Sequence, residues 1–240
     1  MARILFQPVE ETSRVFFSKT LSAPTASALS TTSSMLALIF SLHALLLLVF
    51  AALLPPFTHL VLSLALSPAY TARTSAPVVL AAYCYYLPIM GFNGIAEAFV
   101  QAVASEAELQ SQTKRMIGFS LIFLLSVLAL VRGAGMVETG LVWANCVNLG
   151  CRFAYSWGFI KSYYSRQSLE SQASAAGEKV TSSTRLTMGA IMPTMVTMSV
   201  FIAAGGICRW SEEALYVAKG DRWTHLGIGA ASGLVCLGVR

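Results

Sequence analysis

Two rows of polar side chains recur at helical spacing inside stretches that are otherwise apolar. The rows comprise Asn93, Glu97 and Gln101 in one stretch and Asn145, Asn148 and Arg152 in the other. Spacings of three or four residues place each row on one face of a helix. An ionisable group inside a membrane span costs at least about 2.5–3.5 kcal/mol and normally faces the interior of a helix bundle. Glu97 and Arg152 are therefore expected to face each other.

Two interpretations of this pair remain open from residue chemistry alone. Glu97 and Arg152 either form a buried ion pair that fixes helix register without touching a substrate, or they line a polar cavity that holds an anionic group. A guanidinium suits the second role because its planar N–H donors match two oxygens of a phosphate. Spacing alone does not decide between the two.

A third polar row lies in the first twenty residues, where Pro8 interrupts it. The row consists of Arg3, Gln7, Glu10, Glu11 and Arg14. A secretory signal has an uninterrupted apolar core, and acidic residues occupy that place here, so we reject a signal peptide. The segment is instead predicted to be an amphipathic or cavity-lining helix. Glu10 and Arg14 lie four residues apart, a spacing that also suits a helix-stabilising ion pair.

The residues that usually hold metals or perform catalysis are scattered along the chain. His43, His59 and His225 are far apart, the five cysteines have no C-x-x-C spacing, and Asp221 is the sole aspartate. This distribution predicts no metal site, no cofactor site and no Asp/His catalytic cluster. The sequence therefore favours a protein that is not an enzyme, and it disfavours a membrane-bound glycosyl- or acyltransferase.

The composition identifies the kind of element that must carry the polar rows. Of the 240 residues, 56% are hydrophobic and only 11% are charged, with a mean hydropathy of +0.68, whereas soluble domains carry about 25% charged residues. These values exclude a disordered chain, a nucleic-acid-binding protein and a disulfide-stapled secreted fold. The net charge of +5 fits basic loops that face anionic lipid headgroups. The composition therefore predicts a polytopic membrane protein.

About 20 apolar residues cross the hydrocarbon core as a helix, and the sequence contains six candidate spans. They are 35–54, 77–103, 116–131, 139–160, 188–208 and a shorter stretch at 226–239. The predicted fold is all-α, a bundle of transmembrane helices without the alternation of a β-barrel. The segment 167–187 is rich in Ser, Ala and Gly and is predicted to be a flexible, cytoplasmic polar loop. It separates the membrane helices of 1–166 from the last two, in 188–240.

Three ordered motifs resemble those of the Rft family. Residues 3–11 (RILFQPVEE) match R-x-[IL]-F-x-P-[IV]-E-E, residues 83–99 contain Y-C-x-Y…N-G-[VI]-x-E-x-F, and residues 144–152 match A-N-C-x-N-[ML]-x-x-R. Members of this family are endoplasmic-reticulum proteins linked to translocation of the dolichol-pyrophosphate oligosaccharide used in N-glycosylation. The family belongs to the MATE-like flippase superfamily, in which two helical lobes surround a central cavity.

The resemblance implies translocation, or flipping, of the dolichol-pyrophosphate-linked oligomannose intermediate across the endoplasmic-reticulum membrane by a multi-pass protein. The partners it implies are that lipid-linked oligosaccharide and membrane lipids, with no nucleic acid and no cofactor. The implied substrate-binding residues are Arg3, Glu10, Glu11, Arg14, Asn93, Glu97, Asn145, Asn148 and Arg152. Arg152, with Arg3 or Arg14, would neutralise the pyrophosphate, and the asparagines would hydrogen-bond sugar or phosphate oxygens. The isoprenoid tail would stay in lipid.

The resemblance covers about the C-terminal half of a family member. It therefore implies one lobe of the MATE-like fold plus the last two helices. We expect a truncated form whose partner is the missing first lobe. Two alternatives stay open: a cation-coupled MATE-like antiporter that uses Glu97 or Glu10 as its ion site, and a non-transporting scaffold of the glycosylation machinery.

Overall fold

The computed structural model describes residues 2–66, 71, 73–174 and 188–238. Long apolar runs form helices here because a helix satisfies its own backbone groups where water is absent. The helices are α1 (Ala2–Thr20), α2 (Ala26–Leu48), α3 (Thr58–Ala65), α4 (Ala76–Val103), α5 (Glu106–Leu128), α6 (Gly140–Ser174), α7 (Met188–Ile191), α8 (Met195–Ser211) and α9 (Arg222–Gly238). No strand occurs within the described ranges, and the all-α prediction is confirmed.

Three of the helices are long and apolar enough to cross a membrane. They run over Ala26–Leu53, Ala76–Val103 and Glu106–Gly133, because α2 and α5 each continue through a π-helical turn, Val49–Leu53 and Ala129–Gly133 respectively. These spans contain the predicted stretches 77–103 and 116–131 and most of 35–54. The polytopic prediction therefore holds.

The other three predicted spans are mostly helical where described, but they do not combine the same length and apolar character. α6 has 35 residues but carries the second polar row, whereas α8 and α9 have 17 residues each. The stretch 188–208 is also interrupted between α7 and α8, where Pro193 lacks a backbone N–H. α8 then begins anew, with the Thr194 hydroxyl accepting a hydrogen bond from the Thr197 backbone N–H at 3.2 Å.

The predicted polar loop begins later than its composition indicates. α6 continues through residues 167–174, because extending an existing helix avoids the cost of nucleation and Ser, Gln and Glu tolerate helical backbone. The rest of the predicted loop, 175–187, lies outside the described residues. The chain division at this segment stays a prediction.

The chain forms two compact units, and its long helices pass from one to the other. The first contains Met1–His43, Ile89–Leu128 and Ala144–Met192; the second contains Ala44–Pro88, Ala129–Trp143 and Pro193–Arg240. The spans of α2, α4 and α5, together with α6, each contribute residues to both units. Within each unit, helices distant in sequence therefore come together.

An aromatic core joins α1, α2, α4 and α6 in the first unit. Phe99 of α4 packs edge-on against Phe17 of α1 and Tyr163 of α6, with ring centroids 5.1 and 5.6 Å apart. Phe92 and Phe153 form a second α4–α6 contact at 5.8 Å. Since both contacts advance along the two helices together, α4 and α6 run parallel. Phe153, which directly follows Arg152 in α6, is therefore level with Phe92 of α4.

The second unit packs α3, α8 and α9 around the end of the α2 span. His225 is fully buried, with its ring stacked 4.3 Å from that of Phe57. Its Nδ1 lies 2.7 Å from the Ser211 hydroxyl, and its Nε2 lies 3.3 Å from the Pro56 carbonyl oxygen. Both ring nitrogens therefore have partners, which is what a buried imidazole requires.

Candidate functional site

The centre of the candidate site is an ion pair between α4 and α6. The Nε of Arg152 donates to Oε1 of Glu97 at 2.7 Å, and Nη2 donates to Oε2 at 2.8 Å. The two side chains are 28% and 13% exposed. This bidentate geometry is the strong form of a carboxylate–guanidinium interaction. The partner predicted for Arg152 from spacing is the partner observed.

The local sequence explains why these two side chains meet. On α4, the apolar residues Ile95, Ala96 and Phe99 are buried in the core. Their packing fixes the rotation of α4 so that Glu97 reaches Arg152 of α6. On α6, the aromatic ring of Phe153 packs against Phe92, one residue after Arg152. Packing of the apolar residues thus fixes the rotation of both helices and aligns the charged residues.

The polar rows on either side of the pair contain buried groups without a protein partner. Asn93, one turn before Glu97, is 4% exposed, and its carbonyl oxygen Oδ1 accepts no hydrogen bond from the described residues. Ser156, one turn after Arg152, is fully buried and its hydroxyl is likewise unpaired among them. Buried polar groups normally find a partner in protein or water. These two groups mark places where a water or a polar ligand group would be stabilised.

Helix α1 lies beside Glu97 and contributes further charges. Glu10 rests directly on Gly94 of α4: a Cβ at that position would collide with the Glu10 carboxylate. Glu10, Glu11, Arg14, Gly94, Glu97, Ala98 and Gln101 line a small open recess of about 80 Å³. The helix continues through Pro8, so Pro8 does not interrupt the polar row.

Arg14 is paired within its own helix. Its Nη2 lies 2.6 Å from Oε2 of Glu11, and the two side chains are 46% and 51% exposed. The sequence singled out Glu10 as its partner, but spacings of three and four residues are both within reach on a helix. Both arginines whose side chains are described in this site, Arg14 and Arg152, therefore already contact a carboxylate.

Not every predicted site residue is brought to the recess. Asn145 and Asn148 lie on α6 and are half-buried, two turns and one turn before Arg152, respectively. Arg3 lies in α1, but its side chain is outside the described part of the structure.

Two recess residues have a role that sequence reasoning did not assign. Gly94 is part of a recognised motif, yet its lack of a side chain matters only once α1 is packed against α4. Gln101 was placed on the polar row but not among the binding residues, and it lines the recess as an exposed side chain. Among the residues that the structure describes, no three His, Cys, Asp or Glu side chains assemble as a metal site.

The long apolar helices define a polytopic α-helical membrane protein. Its polar internal face contains a partly buried ion pair and, among the described residues, buried polar groups without a partner. A model of the Rft protein family matches residues 1–239. The chain belongs to the Rft family.

Curated relatives are similar along most or all of the chain. A Mus musculus protein named "Man(5)GlcNAc(2)-PP-dolichol translocation protein RFT1" is 30% identical over 100% of this chain, which spans 41% of that relative. Proteins of the same name from Yarrowia lipolytica and Saccharomyces cerevisiae are 34% and 28% identical over 68% of the chain each, and cover 25% and 28% of those relatives. The names describe translocation proteins, not enzymes. No solved structure matches the chain significantly.

Proposed function

We propose that this chain takes part in moving the dolichol-pyrophosphate-linked oligomannose intermediate across the endoplasmic-reticulum membrane. The observation that carries the proposal is the family match along residues 1–239, together with relatives named for translocation of Man(5)GlcNAc(2)-PP-dolichol. Such a step moves a polar headgroup through a medium of low dielectric constant and breaks no covalent bond. It needs a polar surface inside the membrane, not a catalytic cluster.

The first unit offers such a surface. Arg152 supplies a guanidinium whose fork matches phosphate oxygens, and nearby Asn93 and Ser156 each have a buried polar atom without a partner among the described residues. In the proposed role, Arg152 binds the pyrophosphate while Asn93, Asn145 and Asn148 accept or donate hydrogen bonds to phosphate and sugar oxygens. Arg3, Arg14, Glu10 and Glu11 border the headgroup from α1, and the isoprenoid tail remains among membrane lipids.

Anion binding at Arg152 must then proceed by exchange. Glu97 occupies two N–H donors of Arg152, so a phosphate gains full access only when that carboxylate moves away. An exchange of this kind keeps the guanidinium partnered at every stage, because an unpaired buried charge costs several kcal/mol. Glu97 therefore acts in the proposal as a displaceable partner and not as a ligand of the substrate.

The alternatives receive less support. A cation-coupled antiporter would need Glu97 or Glu10 as an ion site, and Glu97 already pairs with Arg152 while the relatives are named for lipid-linked oligosaccharide translocation. A scaffold of the glycosylation machinery would need no internal polar face.

The proposal is tested in cells depleted of their own Rft protein. One set expresses this chain, and a second expresses the mouse relative with its aligned segment replaced by this chain. The readouts are the amount of Man(5)GlcNAc(2)-PP-dolichol that accumulates and the glycosylation of a secreted reporter. We expect the segment replacement to restore both, and Arg152→Ala to abolish the rescue. Lys19→Ala, an exposed charge at the end of α1, serves as the matched control and should rescue fully.

A flux measurement separates transport from scaffolding. Proteoliposomes that contain the replaced relative should move the lipid-linked oligosaccharide between leaflets faster than empty vesicles, and the Arg152→Ala variant should not. If glycosylation is rescued in cells while flux equals that of empty vesicles, the scaffold interpretation is correct. Full rescue by Arg152→Ala would refute the role assigned to that guanidinium.

A further inference from the structure

A second concave surface lies on the first unit, away from the ion pair. It is an open groove of about 540 Å³ along α6, lined by Ala154, Tyr155, Gly158, Phe159 and Ser162, with Glu108 of α5 and Arg166 at one end. Ala154, Gly158 and Ser162 are exposed and form the floor. Because these residues span eight positions of a helix, the floor is about 12 Å long. Its length and apolar walls match an extended segment of an acyl chain.

The groove lies beside α5, the least buried of the three long apolar spans among the described residues. None of the residues in the most apolar stretch of the α5 span is buried inside the protein. Ile117, Leu121 and Leu125 are each more than half exposed. α5 carries no charge from residue 116 to residue 131, so this part lies at the depth of the acyl chains. Tyr155 contacts Arg115 and Phe119, so this end of the groove lies where the uncharged stretch begins, whereas the Arg166 end lies beside Glu108, outside that stretch.

Cationic side chains flank the groove at both ends of its floor. The guanidinium carbon of Arg115 lies 5.1 Å from the centre of the Tyr155 ring, and Arg166 lines the opposite end. Lys114 and Lys161 are exposed and lie close to these residues in sequence, as do the acidic residues Glu106 and Glu108. These four basic and two acidic residues leave a net charge of +2 around the groove.

Arg166 is held over the end of the groove by the first turn of α5. Its Nη2 donates to Oε1 of Glu108 at 3.0 Å, while Oε2 of Glu108 accepts from the backbone N–H and hydroxyl of Ser105 at 2.9 and 3.0 Å. This is a capping box, which fixes the Glu108 side chain. The bond to Glu108 uses one of the five N–H donors of the guanidinium, so Arg166 is oriented yet retains donors for a phosphate.

We propose that this groove binds an anionic phospholipid, with one acyl chain on the Ala154–Gly158–Ser162 floor and the headgroup phosphate at Arg166. Charge complementarity favours this occupant: Arg166 lies at the end of the groove that is outside the uncharged stretch of α5, where a headgroup phosphate would lie, and Arg115 adds a second cation where that stretch begins. Each basic residue near a membrane surface contributes about 1 kcal/mol toward anionic lipid, a factor of about fivefold. The inference is independent of the proposed translocation.

The test uses the full chain in nanodiscs made of equal amounts of phosphatidylserine and phosphatidylcholine. Native mass spectrometry counts the lipids of each kind that remain bound. We expect the wild-type chain to retain phosphatidylserine preferentially. Arg166→Gln should lower that preference about fivefold, whereas Arg166→Lys should largely keep it. High salt should reduce the preference of the wild type, because a partly exposed charge is screened.

A steric variant tests the acyl position separately from the charge. Gly158→Leu fills the floor of the groove, and Gly150→Leu is its matched control on the same helix, since a Cβ at either glycine meets nothing within 4 Å. We expect Gly158→Leu to lose the bound lipid and Gly150→Leu to retain it. Equal retention by the two glycine variants, or an unchanged preference in Arg166→Gln, would overturn the proposal. The proposal would also be overturned if the wild-type protein were dimeric in the nanodiscs and Gly158→Leu made it monomeric. The occupant of the groove would then be a second copy of the chain.

Discussion

A double-mutant cycle on Glu97 and Arg152 distinguishes the contribution of the ion pair to the stability of the fold from the proposed role of Arg152 in binding pyrophosphate. Arg152→Ala leaves the Glu97 carboxylate, which is only 13% exposed, without its ionic partner. Glu97→Ala likewise leaves the Arg152 guanidinium without its ionic partner. Breaking a fully buried pair costs about 3–5 kcal/mol, and an exposed one costs about 0–1 kcal/mol. With exposures of 28% and 13%, we expect each single change to lower the free energy of unfolding by about 2–4 kcal/mol.

The double variant should be much less destabilised than the sum of the two single changes. When both charges are removed, no uncompensated ion remains in the protein, so the coupling energy should be about 1.5–3 kcal/mol. The measurement is denaturant unfolding of the purified chain in detergent micelles, followed by circular dichroism. Glu11 and Arg14 supply the matched control: they are the same residue types, but 51% and 46% exposed, and their coupling should stay below about 1 kcal/mol.

Function distinguishes the two roles once stability is known. If the pair only fixes helix packing, the Glu97→Ala/Arg152→Ala double variant should regain translocation along with its stability. If Arg152 also binds the pyrophosphate, the double variant should fold normally and remain inactive in the cell assay. Additive destabilisation, with a coupling energy below about 0.5 kcal/mol, would refute the claim that the pair stabilises the fold.

Two further predictions concern the second unit. Gly229→Ala should lower the melting temperature because its Cβ would collide with the Phe57 ring, an overpacking cost of about 1–3 kcal/mol; Gly233→Ala, with nothing within 4 Å, should leave it unchanged or raise it. Asp221 caps α9 by accepting hydrogen bonds from the Thr224 backbone N–H and hydroxyl at 3.0 and 2.6 Å, and these bonds lower its pKa below the ordinary 3.8. The stabilisation is present above pH 3.8 and disappears as pH falls through the lowered pKa. The difference in melting temperature between wild type and Asp221→Ala should therefore vanish at the acid end of a pH series, and a difference that persists there would contradict this cap.

The sequence predicts the Glu97–Arg152 contact because the cost of burying a charge leaves few solutions. A guanidinium in an apolar helix requires a polar partner, and periodicity places one carboxylate on a facing row. The prediction needed no knowledge of interhelical distances. Similar reasoning identified the long spans of α4 and α5, where runs of at least 16 uncharged residues indicate a membrane-spanning helix.

Features that depend on packing between distant segments were not predictable in the same way. The choice of Glu11 over Glu10 by Arg14 rests on side-chain rotamers, since both carboxylates are within reach along the helix. The close contact between the Glu10 side chain and Gly94 exists only because α1 packs against α4. The continuation of α6 through residues 167–174 reflects helix propagation, which composition alone assigned to a loop.

The charge balance of the recess bears on how a translocation site can both bind and release its substrate. Three carboxylates (Glu10, Glu11 and Glu97) and the Arg14 guanidinium line the recess, and Arg152 pairs with Glu97 beside it, so these five groups together carry a net charge of −1. A pyrophosphate that approaches Arg152 must therefore compete with Glu97 and meets repulsion from the remaining acids. Because one bidentate oxyanion replaces another, the exchange changes the free energy far less than binding to an unpaired arginine would. A site that traps its ligand cannot pass it on, and in the proposed translocation role the Glu97 carboxylate would keep the affinity of Arg152 low enough for release.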